Sequence, residues 1–80
     1  MENKELLLEY INTSWDEAFA YTTRDIADLL GCDTRNARYY LLCMIDDGHL
    51  GQIKYWGKTW YVKRHQLDIF KQFEEFVRLR

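Results

Sequence analysis

Two helix starts and a helix stop are written into the twelve residues from Thr22 to Asp33. Thr22-Thr23-Arg24-Asp25 has capping-box spacing: a threonine hydroxyl and a carboxylate three residues on can satisfy each other's backbone amides. Gly31 then supplies a left-handed stop at little steric cost, and Asp33 is an N-cap ready to open another helix. A chain punctuated this way must turn sharply between two helices. The predicted pair runs from Thr22 to Leu30 and from Thr34 to Asp47, with Gly48 closing the second helix.

The apolar pattern says how the pair packs. Ile26, Ala27, Leu29 and Leu30 form the apolar side of the first of these helices. In the second, Ala37, Leu41, Met44 and Ile45 share a face with Tyr40 beside it, while Arg35, Tyr39 and Asp46 point away. Ala27 and Ala37 are small enough for close approach, and Leu30 and Leu41 fill the angle between the axes. Upstream, Glu2 to Asn12 reads as a helix with Leu7, Leu8 and Ile11 on one stripe. Thr13 to Ala20 reads as a connection in which Trp15 and Phe19 pack inward and Ser14 with Glu17 caps a short helical turn. After Gly48 the period becomes that of a hairpin. Leu50, Ile53 and Tyr55 mark one strand, Trp56-Gly57 a turn, and Thr59 to Val62 a second strand. His65 to Arg80 returns to a helical period.

Helix, turn, helix and hairpin in this order predict an α+β, mostly α fold: a winged helix-turn-helix with a three-helix core, a two-stranded wing and an added C-terminal helix. One domain of residues 1–80 is expected, with the helix-turn-helix at 22–47, the wing at 49–63 and the last helix at 65–80.

Charge is segregated along the chain. Residues 1–33 carry two cations against eight acids, residues 34–66 carry six against two, and the remainder balances. The net charge of −2 therefore hides a cationic middle, and affinity for phosphate depends on the face presented. On that face Arg35 and Arg38 could each give guanine two hydrogen bonds, Asn36 could read adenine, and Tyr39 is an aromatic that no monomer core demands. Thr23 and Thr34 suit phosphate, and Lys54 and Lys58 at the hairpin tip would ride on the adjacent backbone. Double-stranded DNA is the partner these residues predict. The alternative is a winged adaptor that docks on another regulator without reading bases.

Other classes find little support. No nucleophile–base pair, glycine-rich phosphate loop or metal spacing is present, so no enzyme, cofactor or metal is expected. His49 and His65 read as structural or surface histidines, and Cys32 and Cys43 as reduced, partly buried thiols. The longest apolar run, Leu6 to Leu8, cannot span a bilayer, and the default compartment is the cytoplasm. In the tail, Leu67, Phe70, Phe73 and Val77 form a stripe that Ile69 and Phe76 widen. Either the first helix covers it, or Ile69, Phe73 and Phe76 meet a second subunit in a two-fold dimer.

Three blocks, Thr23-Arg24-Asp25-Ile26-Ala27-Asp28-Leu29-Leu30, Ala37-Arg38-Tyr39-Tyr40-Leu41-Leu42 and Asp47-Gly48, resemble the small PapI/FaeA-type regulators of enterobacterial fimbrial operons. Trp56-Gly57-Lys58-Thr59-Trp60-Tyr61 is similar to that family's glycine-bearing wing. The resemblance implies a local co-regulator of adhesin or pilus transcription that works beside the global leucine-responsive regulatory protein. It also implies phase variation linked to DNA adenine methylation.

Overall fold

The computed structural model describes residues 2–16, 20–55 and 57–78, with side chains through residue 72. Helix α1 spans Asn3–Thr13, α2 Thr23–Leu30 and α3 Thr34–Asp46. Strands β1 (Leu50–Tyr55) and β2 (Lys58–Lys63) follow, then a single 3-10 turn at Arg64–Gln66 and helix α4 (Leu67–Arg78).

Local chemistry sets the boundaries. Helix α1 buries Leu7 and Ile11, one turn apart, and half-buries Leu8. It runs one residue past the predicted Asn12, to Thr13, whose hydroxyl donates back to the Glu9 carbonyl at 2.7 Å. The capping box of α2 is complete: the Asp25 amide donates to Thr22 Oγ1 at 3.2 Å and the Thr22 amide to Asp25 Oδ2 at 3.0 Å. Gly31 (φ 67°) turns the chain, and the Cys32 amide reaches back to the Ala27 carbonyl. Asp33 Oδ1 then accepts the Asn36 amide at 2.8 Å and starts α3.

Helices α1, α2 and α3 enclose one core of Leu7, Ile11, Trp15, Ile26, Ala27, Ala37, Leu41 and Met44, which Leu50 and Tyr61 extend into the hairpin. Ala27 and Ala37 are both buried, as their close-approach role requires. Leu29 departs from expectation. The sequence pattern puts it on the apolar side of α2, yet 47% of its surface is exposed, because Ile26 and Ala27 occupy the inward face of so short a helix. Trp15 packs inward as expected, edge-on to Tyr21 with ring centroids 4.4 Å apart, and Tyr10 completes the aromatic group. Phe19, and Glu17 of the expected Ser14–Glu17 cap, lie outside the described residues.

Strands β1 and β2 pair antiparallel from Leu50↔Lys63 to Tyr55↔Lys58, with Gly57 at φ 75° just before β2. A third strand position was not foreseen. Tyr21 bridges Tyr61, with reciprocal amide–carbonyl bonds of 2.9 and 2.8 Å. One residue of strand leaves no periodicity to read.

The hairpin's two faces go to different neighbours. Leu50 and Tyr61 turn to the helical core, while Ile53 and Val62 form a second cluster with Leu67 and the half-buried Phe70. Helix α4 thus begins against the outer face of β1, with Leu67 and the half-buried Phe70 packed on the wing and not in the core cluster of Leu7 and Ile11. Gly51 makes the close approach possible, since a Cβ there would lie 2.7 Å from Leu67 Cδ2. Ile69 is 62% exposed; the side chains of Phe73, Phe76 and Val77 lie outside those described. Among the described residues no helix is long and apolar enough to cross a membrane.

Candidate nucleic-acid interface

Capping decides where the polar side chains go. Because Thr22 and Asp33 lie at the starts of α2 and α3, the first turns of both helices open on the same side of the domain, beside the hairpin. Thr23, Thr34, Arg35 and Arg38 line one shallow depression there. A second cleft of about 200 Å³ lies between Thr23, Arg38, Gln52, Lys54, Thr59 and Tyr61. A third depression is bounded by Thr22, Thr23, Arg24, Thr34, Lys58 and Thr59. Thr23 borders all three, so they form one continuous surface.

Among the described residues, Arg24, Arg35, Arg38, Lys54 and Lys58 stand on this surface and no carboxylate lines it. Arg24 approaches Asp28 at 4.0 Å, but both side chains are more than 70% exposed, so the pairing is weak. The nearby acids Asp25 and Asp33 accept backbone amides at helix starts. There their charge faces the positive ends of the helix dipoles.

The floor is held in place from below. The Thr23 hydroxyl donates to the phenol oxygen of Tyr61 at 3.3 Å, and the Tyr61 ring is buried in the core. Together with the Tyr21–Tyr61 bridge, this fixes the start of α2 to the middle of β2. The spacing between helix starts and hairpin is therefore set by buried groups.

Of the eight residues expected at a DNA site, the structure brings six together: Thr23, Thr34, Arg35, Arg38, Lys54 and Lys58. Tyr39 and Asn36 border none of these depressions. Tyr39 lies on the outward stripe of α3 with Arg35, 64% exposed and edge-on to Tyr40. Asn36 is on the flank away from Arg38, about 160° around the helix. Gln52, Thr59 and Arg24 were missed. The alternation of Gln52 and Lys54 around Ile53 was the available signal, but the facing of that stripe depends on which side of the hairpin meets the helices.

A helix pair, a hairpin and a buried link between them define a winged helix-turn-helix domain. The chain belongs to the FaeA-like protein family, whose model matches residues 3–58, from the first residue of α1 to the first of β2. No curated protein and no solved structure matches it. Among the described residues no group of histidine, cysteine and acidic side chains is placed to hold a metal.

Proposed function

We propose that the protein is a DNA-binding transcription regulator that acts by binding and not by catalysis. The observation that carries this reading is the continuous, carboxylate-free cationic surface at the starts of α2 and α3 and along the wing. In this reading α3 enters the major groove of double-stranded DNA with Arg35, Arg38 and Tyr39 toward the base edges, and Asn36 reaches them from the other flank. Thr23, Thr34, Lys54 and Lys58 hold phosphates on either side, joined by Gln52 and Thr59. Membership in the FaeA-like family supports the more specific role of a local co-regulator of a fimbrial or adhesin operon, working beside the leucine-responsive regulatory protein. Pairing of two copies through α4, with Ile69 on the shared face, would present two recognition helices at once.

The adaptor alternative draws on Tyr39 and Leu42, which leave apolar surface exposed on the outward side of α3. Titrating the purified chain against duplex DNA at several salt concentrations separates the two. A DNA regulator loses affinity linearly in log–log form, with a slope near −0.9 for each phosphate neutralised. An adaptor shows no duplex binding above background even at low salt.

A further inference from the structure

The C-terminal half of α2 and the adjoining stripe of α1 leave a groove of about 240 Å³ between Leu6, Glu9, Tyr10, Thr13, Leu29 and Leu30. No residue borders both this groove and the cationic surface. Leu6 and Leu29 retain 40% and 47% of their surface, and here they lie together. Leucines exposed singly are ordinary, whereas leucines exposed side by side over a concavity mark a contact.

The rim supplies the second observation. Glu9 borders the groove, the exposed Glu5 lies one turn before it on α1, and the exposed Glu2 stands at the N-cap of the same helix. Asp28, its side chain exposed, directly precedes Leu29 in α2. Only Lys4 and Arg24 offset the eight acids of residues 1–33, and Arg24 leans on Asp28. An apolar floor with an acidic rim repels nucleic acid, and it repels the same face of a second copy.

We propose that this groove docks an amphipathic segment of a different protein, its leucine- or phenylalanine-type side chains on Leu6 and Leu29 and its lysines or arginines on the acidic rim. Such a segment lies as a helix in a groove, with anchors at helical spacing. The groove takes Leu29 and Leu30 of α2 and the cationic surface takes Thr23 and Arg24, so about 8 Å of helix axis lies between the nearest of them. A partner can therefore sit here while the opposite end of α2 meets its own ligand. The proposal does not depend on that ligand being DNA.

The test uses the full chain and a fluorescein-labelled helical peptide of leucine and lysine, read by anisotropy. Two control peptides replace its leucines by serine or its lysines by glutamate. The leucine–lysine peptide should bind, with each control at least about tenfold weaker. Leu29→Ser and Glu9→Lys should each weaken binding about tenfold while leaving duplex DNA affinity within about twofold. Glu9 is solvent-exposed, so Glu9→Lys reports on the rim even if Leu29→Ser were to lose its fold. Equal binding of the serine peptide, or an unchanged affinity in Glu9→Lys, overturns the proposal. A dimer in sedimentation that Leu29→Ser dissolves overturns it too, by making a second copy the occupant.

Discussion

Thr23 borders every part of the cationic surface while its hydroxyl is tied to the buried Tyr61, so residues there divide by what they can reach. Arg35 stands on the outward side of α3, whereas Lys58 stands at the wing tip, which in the proposed reading meets phosphate and not base edges. Arg35→Ala should therefore cost about 1–3 kcal/mol on a cognate site and much less on random duplex. Lys58→Ala should weaken both equally and reduce the salt slope by about 1. Competition anisotropy with both DNAs checks the pair, and identical behaviour of the two variants would reject the division. Away from the site, Tyr10 shows a coupling the structure makes testable. Its hydrogen bond with Tyr21, then its burial, and then the charges of Tyr21 and Asp16 raise its pKa above the ordinary value. A raised pKa on a group neutral below it stabilises the fold fully below about pH 10, and that contribution fades as pH climbs through the folded value. The urea midpoint of wild type should exceed that of Tyr21→Phe by a constant amount up to about pH 10 and by less above it. A gap that stays constant to about pH 11 would contradict this.

Elements differ in how much of them the sequence could reveal. Where a boundary rests on neighbours three or four residues apart, as in the Thr22–Asp25 box, the Gly31 stop or the Asp33 cap, reading the chain locates it. The face of α3 was legible for the same reason, since Ala37, Leu41 and Met44 recur at helical spacing. What stayed hidden depends on distant pairing. The Tyr21–Tyr61 bridge joins residues with no shared pattern. Leu29 reads as inward alongside Ile26 and Ala27, and only packing shows that those two take the whole inward face of so short a helix. The site followed the same rule: Arg35 and Arg38 were found from the helix, while Gln52 and Thr59 needed the hairpin's facing. The cover for α4 was equally non-local, because it turns on Gly51 leaving room for Leu67. Gly51→Val should force the two apart and cost about 1–3 kcal/mol, with the loss falling on the α4–wing contact. Hydrogen exchange would show this as earlier opening of α4 and β1 than of α2 and α3. Uniform loss of protection across all helices would mean that α4 is not a separable layer.

At the scale of the whole molecule, the fold sets Glu9 beside the α1–α2 groove and gathers Arg35, Arg38, Lys54 and Lys58, all from residues 34–66, on a separate surface. Segregation of this kind lets a chain with net charge −2 present a cationic face, because screening confines each patch to about 8 Å. In the proposed function this face, and no other, receives DNA. Backbone amide shifts recorded during titration with duplex DNA test it residue by residue. The amides of Thr22–Arg24, Thr34–Arg38 and Gln52–Thr59 should move, with α1 and the last turn of α2 unperturbed. Shifts concentrated on α1 and Leu29–Leu30, or none at all at saturating DNA and low salt, would contradict the account.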